Sequence, residues 1–295
     1  MNGTNFDLTA AMAIDGPKRP LFCGFSAELS GAEAVVYGAP CDSTASYQPG
    51  SRFASVAMRH ASDSLETWSP HLDKDLTDFH IADAGELELP RGNMPLVMER
   101  IRKTTADILR AGAIPIMIGG EHSLTYGAVR AAYERYPDLE VIHLDAHTDL
   151  RPDYLGEKYS HASVMRRVWE LLGDGRIHQF GIRSGTREEF VWAREHLNFH
   201  PFELSALPAT LEKLRGRPLY FSLDLDVLDP GCFPGTGTPE PGGVGFAELI
   251  TAIYSLVGQN VVACDLMELA PTLDPSGIST VTACKLLREL LLTIL

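Results

Sequence analysis

Eight short runs of apolar and β-branched residues recur along the chain, and most are separated by a segment long enough for a helix. They are EAVVYGAP (33–40), FHIADAGEL (79–87), AIPIMIGG (113–120), EVIHLDAH (140–147), RIHQFGIR (176–183), NFHPFEL (198–204), PLYFSLDLD (218–226) and VVACDLMEL (261–269). Near-continuous apolar runs mark strands covered on both faces, as parallel sheets are. Helical patterns over 94–111, 123–135, 161–172, 186–196, 245–257 and 279–293 supply the cover. Alternation of this kind predicts a three-layer αβα sandwich around a mainly parallel, eight-stranded sheet. No linker, repeat or composition break divides the chain, so 33–295 is expected to be one domain, preceded by an irregular arm over 1–32.

The formal charge of −14 argues against a nucleic-acid partner and favours a small or cationic ligand. Five scattered cysteines without a C-x-x-C disfavour a disulfide framework and a thiolate zinc site, and fit a reducing cytosol. No apolar run approaches the roughly 18 residues a membrane span needs. The expectation is a cytoplasmic protein with no membrane partner.

Ligands of a parallel α/β sheet bind beyond the carboxyl ends of its strands. Four of the runs end there in polar groups: IGGEHS with His122, LDAHTD with Asp145, His147 and Asp149, SLDLDVLDP with Asp224, Asp226 and Asp229, and DLMELAP with Asp265 and Glu268. Singly, each reads as a helix cap or a satisfied core group. Spacing changes that reading. Side chains at i, i+2 and i+4 of an extended chain point one way, so Asp145, His147 and Asp149 form one row and Asp224 and Asp226 another. Such a rim repels itself and is costly to desolvate unless cations neutralise it. Four carboxylates and two imidazoles exceed what one catalytic zinc needs and suit two metals sharing carboxylates. The lack of thiolate points to manganese or another borderline-hard ion. Asp229, in LDPG, reads as a turn residue. The Gly/Pro-rich stretch 229–245 is expected to be an active-site loop, with Thr236 and Thr238 either lining the pocket or shaping the loop. Cys41, Asp42 and Ser43, after the first strand, are further candidates to face the site.

GGEHS, DAHTD and SLDLDVLDP resemble the three signatures of the ureohydrolases, the arginase and agmatinase family. The likeness runs in order through YGAPCDSTASYQPGSRFA (37–54), IADAGEL, GIRSG, GTGTPEPGG and DLMELAPTLD, and covers nearly the whole chain from about residue 33. It implies eight parallel strands, a single ureohydrolase catalytic domain over 33–295, and two Mn2+ per subunit. One ion would be held by His122, Asp145, Asp149 and Asp224. The other would be held by Asp145, His147, Asp224 and Asp226. Glu268 takes the position of the residue that grips the substrate guanidinium, and His161, in KYSHAS, that of the proton shuttle. The resemblance also implies a homo-oligomer, a trimer or hexamer. The chemistry agrees: a carboxylate can hold a planar guanidinium in bidentate fashion, and a departing amine needs a proton that a histidine can relay.

Arginases follow the middle signature with an asparagine, where this chain has Arg151, and the run LRPDYLGEKYSHAS is more similar to the bacterial agmatinase branch. The expected substrate is therefore agmatine, cleaved to urea and putrescine. Its ammonium tail would need acceptors such as Asp153, Glu157, Glu188 or Glu189, whereas Arg151 suits a carboxylate tail such as guanidinobutyrate's. Arginase, guanidinobutyrase, formimidoylglutamase and aminopropylagmatine ureohydrolase are the rival activities, and a non-catalytic relative is a rival of another class. Glu121 stands where most members have Asp. Asp145→Ala is expected to lose both metals and all activity while His161→Ala keeps its metal; full metal content in the Asp145 variant would contradict the bridging role.

Overall fold

The computed structural model describes residues 20–295. Ten strands form among them: β1 Ala34–Ala39, β2 Trp68–Ser69, β3 Lys74–Asp75, β4 Ile81–Glu86, β5 Ile114–Gly119, β6 Glu140–Leu144, β7 Ile177–Phe180, β8 Asn198–His200, β9 Leu219–Asp224 and β10 Val261–Met267. Strands β2 and β3 pair as a small antiparallel ladder, and the other eight make one sheet in the order β4-β1-β5-β10-β9-β6-β7-β8. Every pairing within that sheet is parallel. The eight apolar runs are these eight strands. Strand order steps from β4–β1–β5 on one side to β6–β7–β8 on the other, and the late strands β9 and β10 fill the gap between β5 and β6.

Among the described residues eight α-helices cover the sheet: α1 Ala54–Ala61, α2 Met94–Ala111, α3 Thr125–Arg135, α4 Val164–Leu172, α5 Arg187–His196, α6 Leu207–Lys213, α7 Phe246–Tyr254 and α8 Ile278–Ile294. Successive strand residues feed two separate cores. Val36, Ile116, Ile142, Phe221 and Leu266 pack with α1, α6, α7 and α8, whereas Val35, Met117, Val141, Tyr220 and Ala263 pack with α2, α3, α4 and α5. This double burial accounts for the continuous apolar runs and gives the three layers. Local sequence sets several helix ends. Asn93 accepts the Leu96 N–H at the start of α2, Gly112 closes it with a left-handed φ of 89°, and Thr186 with Glu189 forms a capping box on α5.

Two helices and the small ladder were outside the sequence expectation. Helix α1 hides Arg59 among its buried residues, where it pairs with Asp83 and Glu86 of β4, so its apolar face is interrupted by a charge. Helix α6 has seven residues, too few for a periodic pattern. Of the arm expected over 1–32, residues 1–19 lie outside the described residues. Over 20–32 the chain makes one 3-10 turn, Phe22–Gly24, whose buried Phe22 donates its N–H to Asp83 at 2.9 Å. Among the described residues no helix is long and apolar enough to cross a membrane.

The carboxyl ends of β1, β5 and β10 are laced together at Gly120. Its N–H donates to Ala39 O at 3.0 Å, its carbonyl accepts Glu268 N–H at 3.0 Å, and the next N–H, of Glu121, reaches Cys41 O at 2.8 Å. A Cβ on Gly120 would stand 1.8 Å from that Cys41 oxygen, a contact only backbone movement could relieve. Gly120→Ala is therefore expected to cost at least about 2 kcal/mol of stability. An unchanged midpoint in chemical denaturation would contradict this packing.

Candidate active site

The four strands that end in polar groups, β5, β10, β9 and β6, are consecutive in the sheet. Their carboxyl ends bring the six predicted ligands into one buried cluster. His122 follows β5, Asp145, His147 and Asp149 follow β6, Asp224 ends β9, and Asp226 lies in the 3-10 turn just after it. Nδ1 of His122 lies 3.0 Å from Asp224 Oδ2, 3.1 Å from Asp145 Oδ2 and 3.5 Å from Asp149 Oδ2. Nδ1 of His147 lies 3.0 Å from Asp226 Oδ2 and 3.6 Å from Asp145 Oδ1. Asp145 thus belongs to both halves. Asp149 reaches the cluster from a left-handed backbone, φ 55°, and Glu268 from another, φ 64°. Such conformations cost a non-glycine residue about 1–3 kcal/mol and concentrate at functional sites.

A row of buried polar side chains lies two residues below the ligands and faces the same side of the sheet. Cross-strand register aligns Gln179 with His143, His143 with Ser222, and Ser222 with Asp265. Ser222 donates to Asp265 Oδ1 at 2.8 Å, so its oxygen is left to accept Nε2–H of His122, also at 2.8 Å. That assigns the His122 lone pair to Nδ1, the nitrogen that faces three carboxylates and makes no hydrogen bond. A buried lone pair aimed at three anions is the arrangement of a metal ligand, and the donor set fits divalent cations. Asp265 also accepts from Thr125 and Tyr220, so it supports the cluster from below.

His143 is close enough to count as a ligand, since its donor atoms lie within 4.8 Å of those of His122, Asp145 and Asp149. Its hydrogen bonds say otherwise. The Gln179 amide nitrogen donates to Thr148 O at 2.8 Å and sits 3.0 Å from His143 Nδ1, which therefore accepts. The proton is then on Nε2, donated to Asp145 Oδ2 at 2.9 Å. His143 orients Asp145. Arg183, which the sequence pattern did not single out, holds the other side: its guanidinium donates to the carbonyls of Asp226, Val227 and Glu240 at 2.8, 3.1 and 2.7 Å. Asp229 caps its loop instead of joining the cluster, accepting the N–H groups of Gly231, Gly242 and Gly243.

A cavity of about 290 Å³ opens over the cluster, lined among others by His147, Asp149, His161, Arg151 and Thr238. Thr238 also reaches Asp226 Oδ2 at 3.4 Å, whereas Thr236 is buried and pairs through its backbone with Leu269. Burial and the charge of His147 lower His161 to about 4, so its imidazole is neutral at pH 7. Glu268 does not line this cavity. Its Oε1 accepts His122 N–H at 2.7 Å, leaving Oε2 free, and burial raises its carboxyl to about 8. Of the acceptors proposed for a substrate tail, Glu189 lines the cavity but serves its capping box, Thr148 and Leu150 N–H. Arg151 lies 3.8 Å from Glu189 and 5.0 Å over the Tyr154 ring. Cys41, Asp42 and Ser43 do not line the cavity; Ser46 of the same loop does.

The cluster's titration reflects its crowding. Burial, then the charge of Asp145, pushes Asp149 well above the carboxylate range; burial, then Asp226 and Asp145, does the same to Asp224. Burial alone would depress His122 and His147, yet their carboxylate neighbours hold both well above the ordinary imidazole value. Burial would also raise Asp145, but His122, His143 and His147 hold it well below.

A family model described as the arginase family matches residues 32–293. The agmatinase of Bacillus subtilis (strain 168) is 44% identical over 276 residues, covering 92% of this chain and 95% of that protein. The agmatinase of Bacillus anthracis is 45% identical over 265 residues, covering 88% and 91%. Among solved structures, the agmatine ureohydrolase of Thermoplasma volcanium superposes with a TM-score of 0.87 at 33% identity, covering 97% of each chain.

His122, His147, Asp149, Asp224 and Glu268 all have folded values above their unfolded ones, so the stability they give is present at low pH and lost as pH rises through the folded values. Asp145 acts in the opposite sense, but only below the ordinary carboxylate range. Bound cations would take over the balancing role from protons. The gap in melting temperature between manganese-saturated and chelator-treated protein should therefore widen from pH 6 to pH 8. A gap that stays constant or narrows would contradict this account.

Proposed function

The chain belongs to the arginase family and is a hydrolase of guanidino C–N bonds; on that premise we propose that it is a binuclear manganese enzyme cleaving agmatine to urea and putrescine, within polyamine biosynthesis. The observation that carries the metal reading is the partnerless Nδ1 of His122 facing Asp145, Asp149 and Asp224. In this reading residues 33–295 are one catalytic domain. One ion is held by His122, Asp145, Asp149 and Asp224, and the other by Asp145, His147, Asp224 and Asp226. When bound, such a pair supplies a nucleophile from water at neutral pH.

The chain's own groups do the rest. Glu268 orients the guanidinium; its Oε1 already takes the His122 N–H but has a second lone pair, and Oε2 is free. A carboxyl fixed in this way gives up its proton to pair with the cationic guanidinium, and then holds the guanidinium carbon in place for attack. His161, neutral and on the cavity wall, takes up a proton from solvent at a ring nitrogen and relays it to the departing alkyl amine, so that the C–N bond breaks to a neutral amine and the imidazole returns to its neutral form. His143 and Ser222 hold Asp145 and His122 in register, and Arg183 fixes the turn that carries Asp226. The agmatinase relatives support the substrate. Arg151 on the cavity wall favours a second reading, a guanidino acid with a carboxylate tail, although Glu189 and the Tyr154 ring partly engage its charge.

Urea release from agmatine, arginine, guanidinobutyrate and formimidoylglutamate by the manganese-loaded protein tests both readings. Agmatine should give the highest kcat/KM. Guanidinobutyrate as the best substrate would transfer the assignment to the Arg151 reading, and no urea from any of the four would overturn the function.

A further inference from the structure

Glu121 has no place in the cluster, although it precedes His122. It is fully buried and turns toward the loop after β1. Its Oε2 accepts the Thr44 N–H at 2.6 Å, and its Oε1 accepts the hydroxyls of Thr44, at 2.8 Å, and of Ser123. Three donors converging on two oxygens are the surroundings of a carboxylate. The Thr44 hydroxyl has one proton, and it is committed to Glu121. Its oxygen must then accept from its other neighbours, which both belong to His161: the backbone N–H at 3.1 Å and ring Nδ1 at 3.2 Å. Ring Nε2 lies 3.1 Å from Ser46 Oγ, where Ser46 and His161 share the cavity wall.

We propose that Glu121, acting through Thr44, holds His161 in one tautomer, with its proton on Nδ1 and its lone pair on Nε2 at the cavity. Both are positioning residues for the transfer of a proton at Nε2. The backbone and ring donors of His161 close on a single oxygen, which fixes the ring's rotamer together with its tautomer. The chain length at position 121 follows from this. An aspartate would be shorter by about 1.5 Å, and could not keep both Thr44 contacts from the same backbone. Glutamate at this position is thus explained by its reach to the loop after β1.

The proposal rests on His161 as the proton shuttle, but the tautomer can be read without turnover. Full-length protein labelled with 15N-histidine, with magnesium as a diamagnetic cation, reports the tautomer by magic-angle-spinning NMR at pH 8, and His161→Asn assigns the signal. The wild type should carry its proton on Nδ1. Thr44→Val and Glu121→Gln should shift His161 toward the Nε2–H form and lower kcat for agmatine with manganese about tenfold to a hundredfold, with KM changed less than about twofold. Thr44→Ser should restore most of the turnover lost in Thr44→Val, and if Thr44→Val does not fold, Glu121→Gln carries the test. A wild-type proton on Nε2, or an unchanged tautomer in Glu121→Gln, would overturn the proposal. Full turnover by His161→Asn would instead remove the shuttle reading and leave the tautomer assignment to the spectra.

Discussion

Mutual repulsion of buried carboxylates at one sheet edge is the constraint around which this molecule is arranged. Asp145, Asp149, Asp224 and Asp226 are all nearly inaccessible to water, and their oxygens converge on the imidazoles of His122 and His147. Protons can balance such a cluster only in part, as the opposed shifts of Asp145 and Asp224 show. Divalent cations would balance the remainder, and in doing so would convert a cost of folding into a site that can activate water. The parallel sheet provides the means of assembly: four adjacent strands end at the same level, so ligands far apart in sequence meet without long loops.

Support for the cluster comes from the sheet's register. Gln179, His143, Ser222 and Asp265 stand in one cross-strand row, each on a different strand, and each is buried without any access to water. Every hydrogen bond in the row fixes the donor or acceptor state of the next group. Ser222 decides which His122 nitrogen has the lone pair, and Gln179 decides which His143 nitrogen has the proton. The same logic recurs on the far side of the cavity, where Glu121 and Thr44 face His161. A hydrogen-bonded polar network in a low-dielectric interior is rigid, and such rigidity in the surrounding groups is what a metal site needs.

The strands and the convergence of the acidic and histidine side chains were legible in the sequence because both depend on local period. Asp145, His147 and Asp149 are separated by two residues, and period two alone puts them on one side of an extended chain. The supporting row was not legible, since it depends on which residue of one strand lies beside which residue of another. Nothing in EVIHLDAH distinguishes His143 as a donor to Asp145 until Gln179 is placed next to it. Helix α1 was hidden in a similar way: Arg59 in its middle breaks the apolar pattern, and Asp83 and Glu86 of β4 enclose that charge only across the fold. Glu121 was visible as a departure from the family pattern, but its reason is a loop 77 residues earlier.

The central claim is that two cations share Asp145 and Asp224 at the ends of β6 and β9. Anomalous scattering at the manganese edge from crystals grown with that ion tests it most directly. Two peaks per chain should appear, one against His122 and Asp149 and the other against His147 and Asp226, with Asp145 and Asp224 contacting both. A single peak, or two peaks with Asp145 contacting only one, would contradict the account.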